Sequence, residues 1–568
     1  MLVNDIKVKE LPDKNEIWSV AKKYDLNPVL SAIILQRGIK DDFDIKMFLT
    51  GERGYLHDPF EMKDMYKAVE LLSEARQERK RVVIFGDYDV DGACSLAIVY
   101  TALKTLNFRV NWYLPDRKKD KYDLQKKHVD DIALMGCDLL ITTDTGSNAV
   151  EAVEYAKKKG MKVLVTDHHS ITTQSKPDAL VNPQREDCSY LFKRLSGTGV
   201  AFKLVVAFLH KFALNPYAFT DSVIDLVTLA TIADVMPLLD ENRVLVKMGL
   251  ETMVQKAHVG VQTLLREANL YKDITSTQLS FKVIPKLNSA GRMGRADLAY
   301  KLLIENDPLK ALELYKEICD LNEERLALED RAEREADEII KEQGMTKDNV
   351  LVLYNPNWNN AICGNVSSKL NKKYNKLTVV FGKMEGEEEF VKGSARQKEN
   401  INLLELVGKC EEFLEQYGGH KEAVGLTIRP ENIDLFRKKI NEAYGTIEKD
   451  EAFLCDISLK PEAIDINLCE ELTKLMPYGA CNEEPLFLTR NMRIAQARNM
   501  GKEAQHTKLT FQIDTNRFIE GVIWNQKDER LAPGVVVDVA YNLEINDFNF
   551  QKLPQMKIAA LKIREEGN

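Results

Sequence analysis

The chain has 568 residues, with 79 Lys and Arg against 88 Asp and Glu and a formal net charge of -9. That length corresponds to about three to five domains, and 44% apolar with 29% charged residues excludes a wholly disordered chain. The mild acidity excludes a protein that coats nucleic acid through bulk charge, though not one with a local basic groove.

The amino terminus has no basic stretch followed by an apolar one, and no apolar run approaches the roughly 20 residues of a membrane span, so a cytoplasmic protein without membrane contact is expected. Nine scattered cysteines without a Cys-x-x-Cys pair read as reduced thiols. The first fifty residues predict a small helical cap with Leu30, Ile33, Ile34 and Leu35 as its apolar stripe. From Arg81 strand and helix patterns alternate. Val82–Phe85 precedes a helix over Ala93–Leu103, Leu139–Thr143 precedes one over Asn148–Lys158, and Lys162–Thr166 is a third strand. Such alternation predicts a parallel sheet covered on both faces.

From about Asp307 to Gln343 the chain is highly charged, with Leu312, Tyr315, Cys319 and Leu326 at helical spacing. A helix of that length spans about 50 Å and can connect two lobes. A second α/β unit follows from Val350, with strands at Leu351–Tyr354 and Leu377–Phe381. After about Asp450 short alternating strands (Leu509–Ile513, Gly521–Trp524, Val535–Ala540) predict a small β-barrel.

The sharpest motif is Gly86-Asp87-Tyr88-Asp89-Val90-Asp91-Gly92. On extended backbone its three carboxylates project to one side, at the carboxyl end of a parallel strand where open α/β sheets place ligands. Such crowded charge calls for a cation, and hard oxygen donors suit Mg2+ or Mn2+ without choosing between them. An EF-hand calcium loop starts in the same way but needs Glu at its twelfth position, where this chain has Ile98. Asp144 follows the second strand, Asp167-His168-His169 the third, and Asp234 ends an apolar helical stretch. An isolated Asp after a strand is often a helix cap. Three consecutive strand ends of this kind would instead converge on one crevice able to hold two cations with a shared ligand, the apparatus for in-line attack on a phosphorus ester.

These residues, with Gln36–Ile39, His57–Met62, Ser196–Lys203, Pro285–Arg292, Gly393–Arg396, Gly418–Gly425 and Met476–Pro485 in the same order, resemble the DHH phosphoesterases. Within them the chain resembles the RecJ-type family of single-strand-specific DNA exonucleases. The resemblance implies a cap over 1–55, a parallel-sheet α/β DHH catalytic domain over 56–250 and a connecting helical region over 251–344. A smaller α/β DHHA1 domain over 345–448 and a C-terminal OB-like β-barrel over 449–568 complete it.

The implied activity is metal-dependent 5′→3′ hydrolysis of terminal phosphodiesters in single-stranded DNA, in repair, recombination or replication. The implied cofactors are two divalent cations, Mn2+ or Mg2+, held by Asp89, Asp91, Asp144, His168 and Asp234, with Asp144 as the bridge. Asp87 is a further ligand or supports one, His169 faces the phosphate, and Asp167 orients a histidine. Substrate contacts fall on Arg117, Asn288, Arg292, Ser394, Arg396, Gly418, Gly419 and His420, with Arg292, Ser394 and Arg396 at the 5′ phosphate. Lys118, Lys119, Lys121, Lys126 and Lys127 add local positive charge, which reads equally as a solvated face.

A helicase or a single-strand-binding protein is an implied partner. The chain departs from the family at Lys121-Tyr122-Asp123-Leu124, where Gly-Tyr-Gly is usual, and at Asn357–Asn360 and Ser368-Lys369. Two readings compete: another phosphoesterase of the superfamily acting on oligonucleotides or cyclic dinucleotides, and a non-catalytic replication factor.

Overall fold

The computed structural model describes residues 2–117, 120, 123–212, 214–384, 386–397, 401–446, 452–501, 503–548 and 551–564. The chain forms two compact units, one of residues 56–236 and 248–449, the other of residues 1–55, 237–247 and 450–568. Among the described residues no helix is long and apolar enough to cross a membrane.

The larger unit holds two sheets. The first is built from β1 (Arg81–Gly86), β2 (Arg109–Tyr113), β3 (Leu139–Thr143), β4 (Lys162–Thr166) and β5 (Ala179–Val181), all parallel, in the order β2-β1-β3-β4-β5. Intervening helices are α1 (Val90–Thr105), α2 (Lys126–Leu134) and α3 (Val150–Lys158). Val83, Phe85, Leu140, Val163 and Val165 share a core with Val129 and Ile132 of α2 and Ala152 and Val153 of α3. On the other side α1 packs against α4 (Gly197–Lys211) and α5 (Pro216–Ala233). Burial on both faces explains the apolar runs Val82–Phe85 of β1 and Leu139–Ile141 of β3. Strand order reverses between β1 and β3, so their carboxyl ends open a crevice.

Short helices lead to α6 (Ile284–Arg292) and then α7 (Pro308–Glu342), 35 residues starting on an Asp307 cap that accepts the Leu309 N–H at 2.8 Å. The second sheet contains β6 (Val350–Asn359), β7 (Leu377–Lys383), β8 (Val391–Arg396), β9 (Leu414–Gly419) and β10 (Ala423–Ile428), with α8 (Asn360–Tyr374) between β6 and β7. Its order is β9-β10-β8-β7-β6, parallel only between β6 and β7. Ala332, Ala336 and Ile340 of α7 pack with Leu351, Leu353, Val366 and Leu370, which seats the long helix on this lobe.

In the smaller unit, strands Phe487–Met500, His506–Gln512, Phe518–Ile523, Gln551–Ile563 and Val536–Phe548 pair in that order, and the first pairs back on the last to close a five-stranded barrel. The first fifty-five residues do not stand apart from it. Leu30, Ile33 and Ile34 share one core with Phe487, Ile494, Phe511 and Tyr541, and Ile6–Val8 pairs in parallel with Phe453–Cys455. Fully buried Arg243 donates to the carbonyls of Phe48, Lys474, Leu475 and Met476, joining segments far apart in sequence.

Candidate metal centre and anion pocket

The Asp87-Asp89-Asp91 triplet is not extended as its spacing suggested. Only Asp87 follows the strand; Asp89 caps α1, its carboxylate accepting the Gly92 N–H at 3.0 Å, and Asp91 lies in the helix's first turn. The Asp91 carboxylate accepts the N–H groups of Gly197 and Thr198, each at 2.8 Å, from the amino end of α4. A helix amino terminus is a favourable place for a buried carboxylate. Gly92 and Gly197 make this packing possible. A Cβ at Gly92 would reach the Asp87 backbone at 2.5 Å, and one at Gly197 would strike the Asp144 carboxylate.

Asp144, at the end of β3, is 2% exposed and has φ of 62°, a left-handed conformation that Asp and Asn tolerate better than other side chains. His168 Nε2 lies 3.1 Å from its Oδ1, 3.5 Å from Asp234 Oδ2 and 3.7 Å from Asp91 Oδ2. Three groups have ligand atoms within 4.8 Å of one another: Asp87, Asp89 and Asp144; Asp91, His168 and Asp234; and Asp144, His168 and His169. Asp144 thus belongs to two of them. Its Oδ1 is buried and accepts no hydrogen bond among the described residues. Burial raises the Asp144 carboxyl well above the usual range, and the charges of Asp91, Asp89, Asp87 and Asp234 add to it. Asp234 is raised in the same way, by burial and then Asp91 and Asp89, and Asp87 to about 8 by burial and Asp89. A set of crowded carboxylates and one imidazole, with an orphaned buried oxygen at its centre, fits two hard divalent cations.

Asp167 is turned away from this set. Its carboxylate accepts the backbone N–H groups of Ser147, His168 and His169 and lies 2.8 Å from His169 Nδ1. Burial works to raise its pKa, but the His169 hydrogen bond and the charges of both histidines outweigh it and hold the group well below normal. Burial likewise works to lower His169, and the Asp167 bond and charge overcome it and raise the ring to about 10. His169 is therefore a cationic donor at neutral pH. His168 moves the other way: burial lowers it and outweighs the opposing charge of Asp91.

An arginine cluster belongs to the same compact unit. The Arg117 guanidinium lies 4.8 Å from the Tyr88 ring centroid, inside the Asp triplet. Arg292 Nη1 donates to the Ala361 carbonyl at 3.0 Å, and Arg396 Nη1 donates to Ser394 Oγ at 2.7 Å. Burial, then the charges of Arg117 and Arg325, lower Arg292 to about 10. Asn288 lies one helical turn before Arg292 on α6. Sequence reasoning gave no role to Gly291 or Gly364. A Cβ at Gly291 would strike the Tyr88 carbonyl oxygen, and one at Gly364 would come within 3.0 Å of Arg396 Nη2. These glycines let α6 approach the Asp triplet and α8 approach Arg396; their signal in the sequence is a Gly inside a helical pattern. Gly291→Ala is expected to cost about 1–3 kcal/mol of stability through overpacking and to depress turnover as well. Gly445→Ala, which meets nothing within 4 Å, should do neither in thermal melts and rate assays.

Gly418, Gly419 and His420 are exposed at the end of the edge strand β9, with β10 between them and β8. Gly418 pairs with Gly425, which pairs with Ser394. The His420 N–H is already bonded to the Ala423 carbonyl at 2.9 Å. Lys126 pairs with Glu151 at 2.8 Å and Lys127 pairs with Asp120, as on a solvated face. Lys118, Lys119, Lys121 and Tyr122 lie outside the described residues.

Asp123 occupies a φ of 75° and accepts the Thr145 hydroxyl at 2.7 Å, which ties it to the loop after Asp144. Trp358 is buried and donates to Glu335 at 2.7 Å, and Asn359 caps α8. Lys369 pairs with Asp330 of α7 at 2.7 Å. In the barrel, Phe487 and Tyr541 are core residues, whereas Trp524 is half exposed with its ring against His506 at 4.7 Å.

Comparison with known proteins agrees with this architecture. The DHH family N-terminal domain matches residues 81–231, the DHHA1 domain residues 347–446 and the RecJ OB domain residues 455–560. The single-stranded-DNA-specific exonuclease RecJ of Bacillus subtilis is 31% identical over 563 residues, 98% of this chain and 70% of the relative. That of Haemophilus influenzae is 30% identical over 578 residues, 97% of this chain and 98% of the relative. The crystal structure of RecJ from Thermus thermophilus in complex with Mn2+ superposes with a TM-score of 0.83 at 27% identity, covering 99% of this chain and 80% of that one. The same protein in complex with Mg2+ gives 0.77 at 26%, covering 99% and 79%. Matched along nearly its whole length, from the sheet that carries the acidic cluster to the closed barrel, the chain belongs to the RecJ family.

Proposed function

We propose that this chain is a metal-dependent exonuclease that removes nucleotides from the 5′ end of single-stranded DNA. The observation that carries the reading is the acidic and imidazole cluster around Asp144 in one compact unit with an arginine pocket. The relatives' name as single-stranded-DNA-specific exonucleases supports the substrate. Asp89, Asp91, Asp144, His168 and Asp234 would hold two divalent cations, Mn2+ or Mg2+, with Asp144 shared and Asp87 beside them. Bound there, the cations supply a nucleophile at neutral pH and polarise the scissile phosphate. Arg292, Ser394 and Arg396 grip the terminal phosphate, the arginine forks each being able to take two oxygens. Arg117 and Asn288 steady the strand beside it, and cationic His169, held by Asp167, donates toward the phosphate or the leaving oxygen. Gly418, Gly419 and His420 offer an open sheet edge beyond Ser394. On the barrel, Trp524 provides a face for stacking bases without sequence preference.

Working on single strands, such an enzyme acts in the cytoplasm alongside a helicase that exposes them and a protein that coats them, in repair or recombination. The test uses one strand labelled at either end, and its duplex, with Mn2+, Mg2+ or chelator. Mononucleotides should leave first from the 5′ end of the single strand, with either metal and not with chelator. Initial loss of the 3′ label, or equal attack on the duplex, would overturn the reading.

A further inference from the structure

The long helix α7 carries a buried polar network with no part in the metal centre. Glu329 is 2% exposed and Arg325 6%, and they form an ion pair one helical turn apart. Asn365 of α8 donates to the same Glu329 oxygen at 2.6 Å, and Arg325 Nη2 donates to Asn322 at 2.9 Å. Arg325 Nε is buried with no acceptor among the described residues, and Lys369 Nζ lies 3.7 Å from the other Glu329 oxygen. Burying such a pair costs desolvation that its attraction barely repays, so stability alone does not account for it.

Its position does. α7 is tied to α6 by Lys286, which donates to the Tyr315 hydroxyl at 2.8 Å, and α6 carries Arg292. Through Glu329 and Asn365 it is also tied to α8, whose first residues supply the Ala361 carbonyl that Arg292 grips and whose Gly364 faces Arg396 and Ser394. Asn365 directly follows Gly364. A rotation of α8 about its axis would move both anchors of the pocket together. We infer that Arg325, Glu329 and Asn365 are positioning residues for the terminal phosphate, holding α8 in register against α7 so that Arg292 and Arg396 converge on one anion. The inference rests on the reading of that pocket as the 5′-phosphate site.

The test measures kcat and KM on 5′-phosphorylated and 5′-hydroxyl single strands of one sequence. Wild type should favour the phosphorylated strand; if it does not, the phosphate reading fails and the inference falls with it. Given that preference, Glu329→Ala and Asn365→Ala should raise KM about ten-fold on the phosphorylated strand, the scale of one lost hydrogen bond in a buried network. KM on the hydroxyl strand and kcat on both should stay within about two-fold. Glu329→Gln, which keeps an oxygen acceptor for Arg325 and Asn365, should retain most of the preference. Should Glu329→Ala fail to fold, Asn365→Ala leaves the ion pair intact and decides alone. Equal KM rises on both strands, a loss confined to kcat, or a lower melting temperature with the preference intact would overturn the inference while leaving the phosphate site standing.

Discussion

Asp144→Asn is expected to lower single-strand degradation roughly 10,000-fold, a loss of about 5 kcal/mol in transition-state stabilisation, without lowering the melting temperature of the metal-free protein. The size follows from Asp144 belonging to two of the three ligand groups, so one substitution damages both cation positions. The unchanged stability follows from its surroundings. Burial and four neighbouring carboxylates oppose its charge, so without metal the position favours a neutral side chain, which the amide supplies. Asn is the better probe because it accepts the φ of 62° at this position. Ala should abolish activity equally but also cost about 1 kcal/mol for the left-handed backbone. Single-turnover assays with saturating Mn2+, paired with thermal melts, check both halves. Cleavage at the wild-type rate by the metal-replete variant would contradict the shared-ligand role.

Much of this centre was legible because it depends on local pattern. Strand runs ending in Asp or His, at the carboxyl edge of a parallel sheet, have few places to go but one crevice. The long helix was equally readable, expected from about Asp307 to Gln343 and found over Pro308–Glu342, since helical spacing and an Asp-Pro start are local signals. What failed to show depends on contacts distant in sequence or on an ambiguous local code. The union of residues 1–55 with the barrel rests on Leu30 and Ile34 meeting Phe487 and Phe511 some 450 positions later, and an apolar stripe does not name its partner. Alternate Asp residues fit a strand or a cap followed by a helix turn; the amino end of α4, receiving Asp91, decides for the latter. Arg325 and Glu329 look like any solvated pair one helical turn apart, and only packing against α8 reveals them as buried. Gly418-Gly419-His420 shows the same ambiguity: a glycine pair suited to a phosphate serves equally to end an edge strand.

The metal-free protein should lose stability as pH rises, and added Mn2+ should reverse that dependence. Asp87 has its folded pKa raised to about 8, and Asp144 and Asp234 are raised well above the usual carboxylate range, against about 3.9 in an unfolded chain. The folded state therefore binds more protons than the unfolded one between about pH 4 and the folded values, and the slope of unfolding free energy with pH is negative there. The stability these groups contribute is fully present below about pH 4 and is lost as pH climbs through the folded values, about 8 for Asp87. His169, raised to about 10 by Asp167 against burial, acts with the same sign at higher pH. Asp167, held low, contributes stability that is lost only toward acid, outside this window. Cations require the carboxylates ionised, so their binding must expel protons and stabilises more as pH rises. With metal at about 100 times its dissociation constant, the gain is about 2.7 kcal/mol. Melting temperatures of chelator-treated protein should fall by several degrees from about pH 5.5 to about pH 8, while the Mn2+-loaded protein holds steady. Titrating Mn2+ into weakly buffered protein near neutral pH should acidify the solution. A metal-free protein more stable at the higher pH, or metal binding without proton release, would mean that these carboxyls are already ionised and that the cluster is not the crowded site its geometry describes.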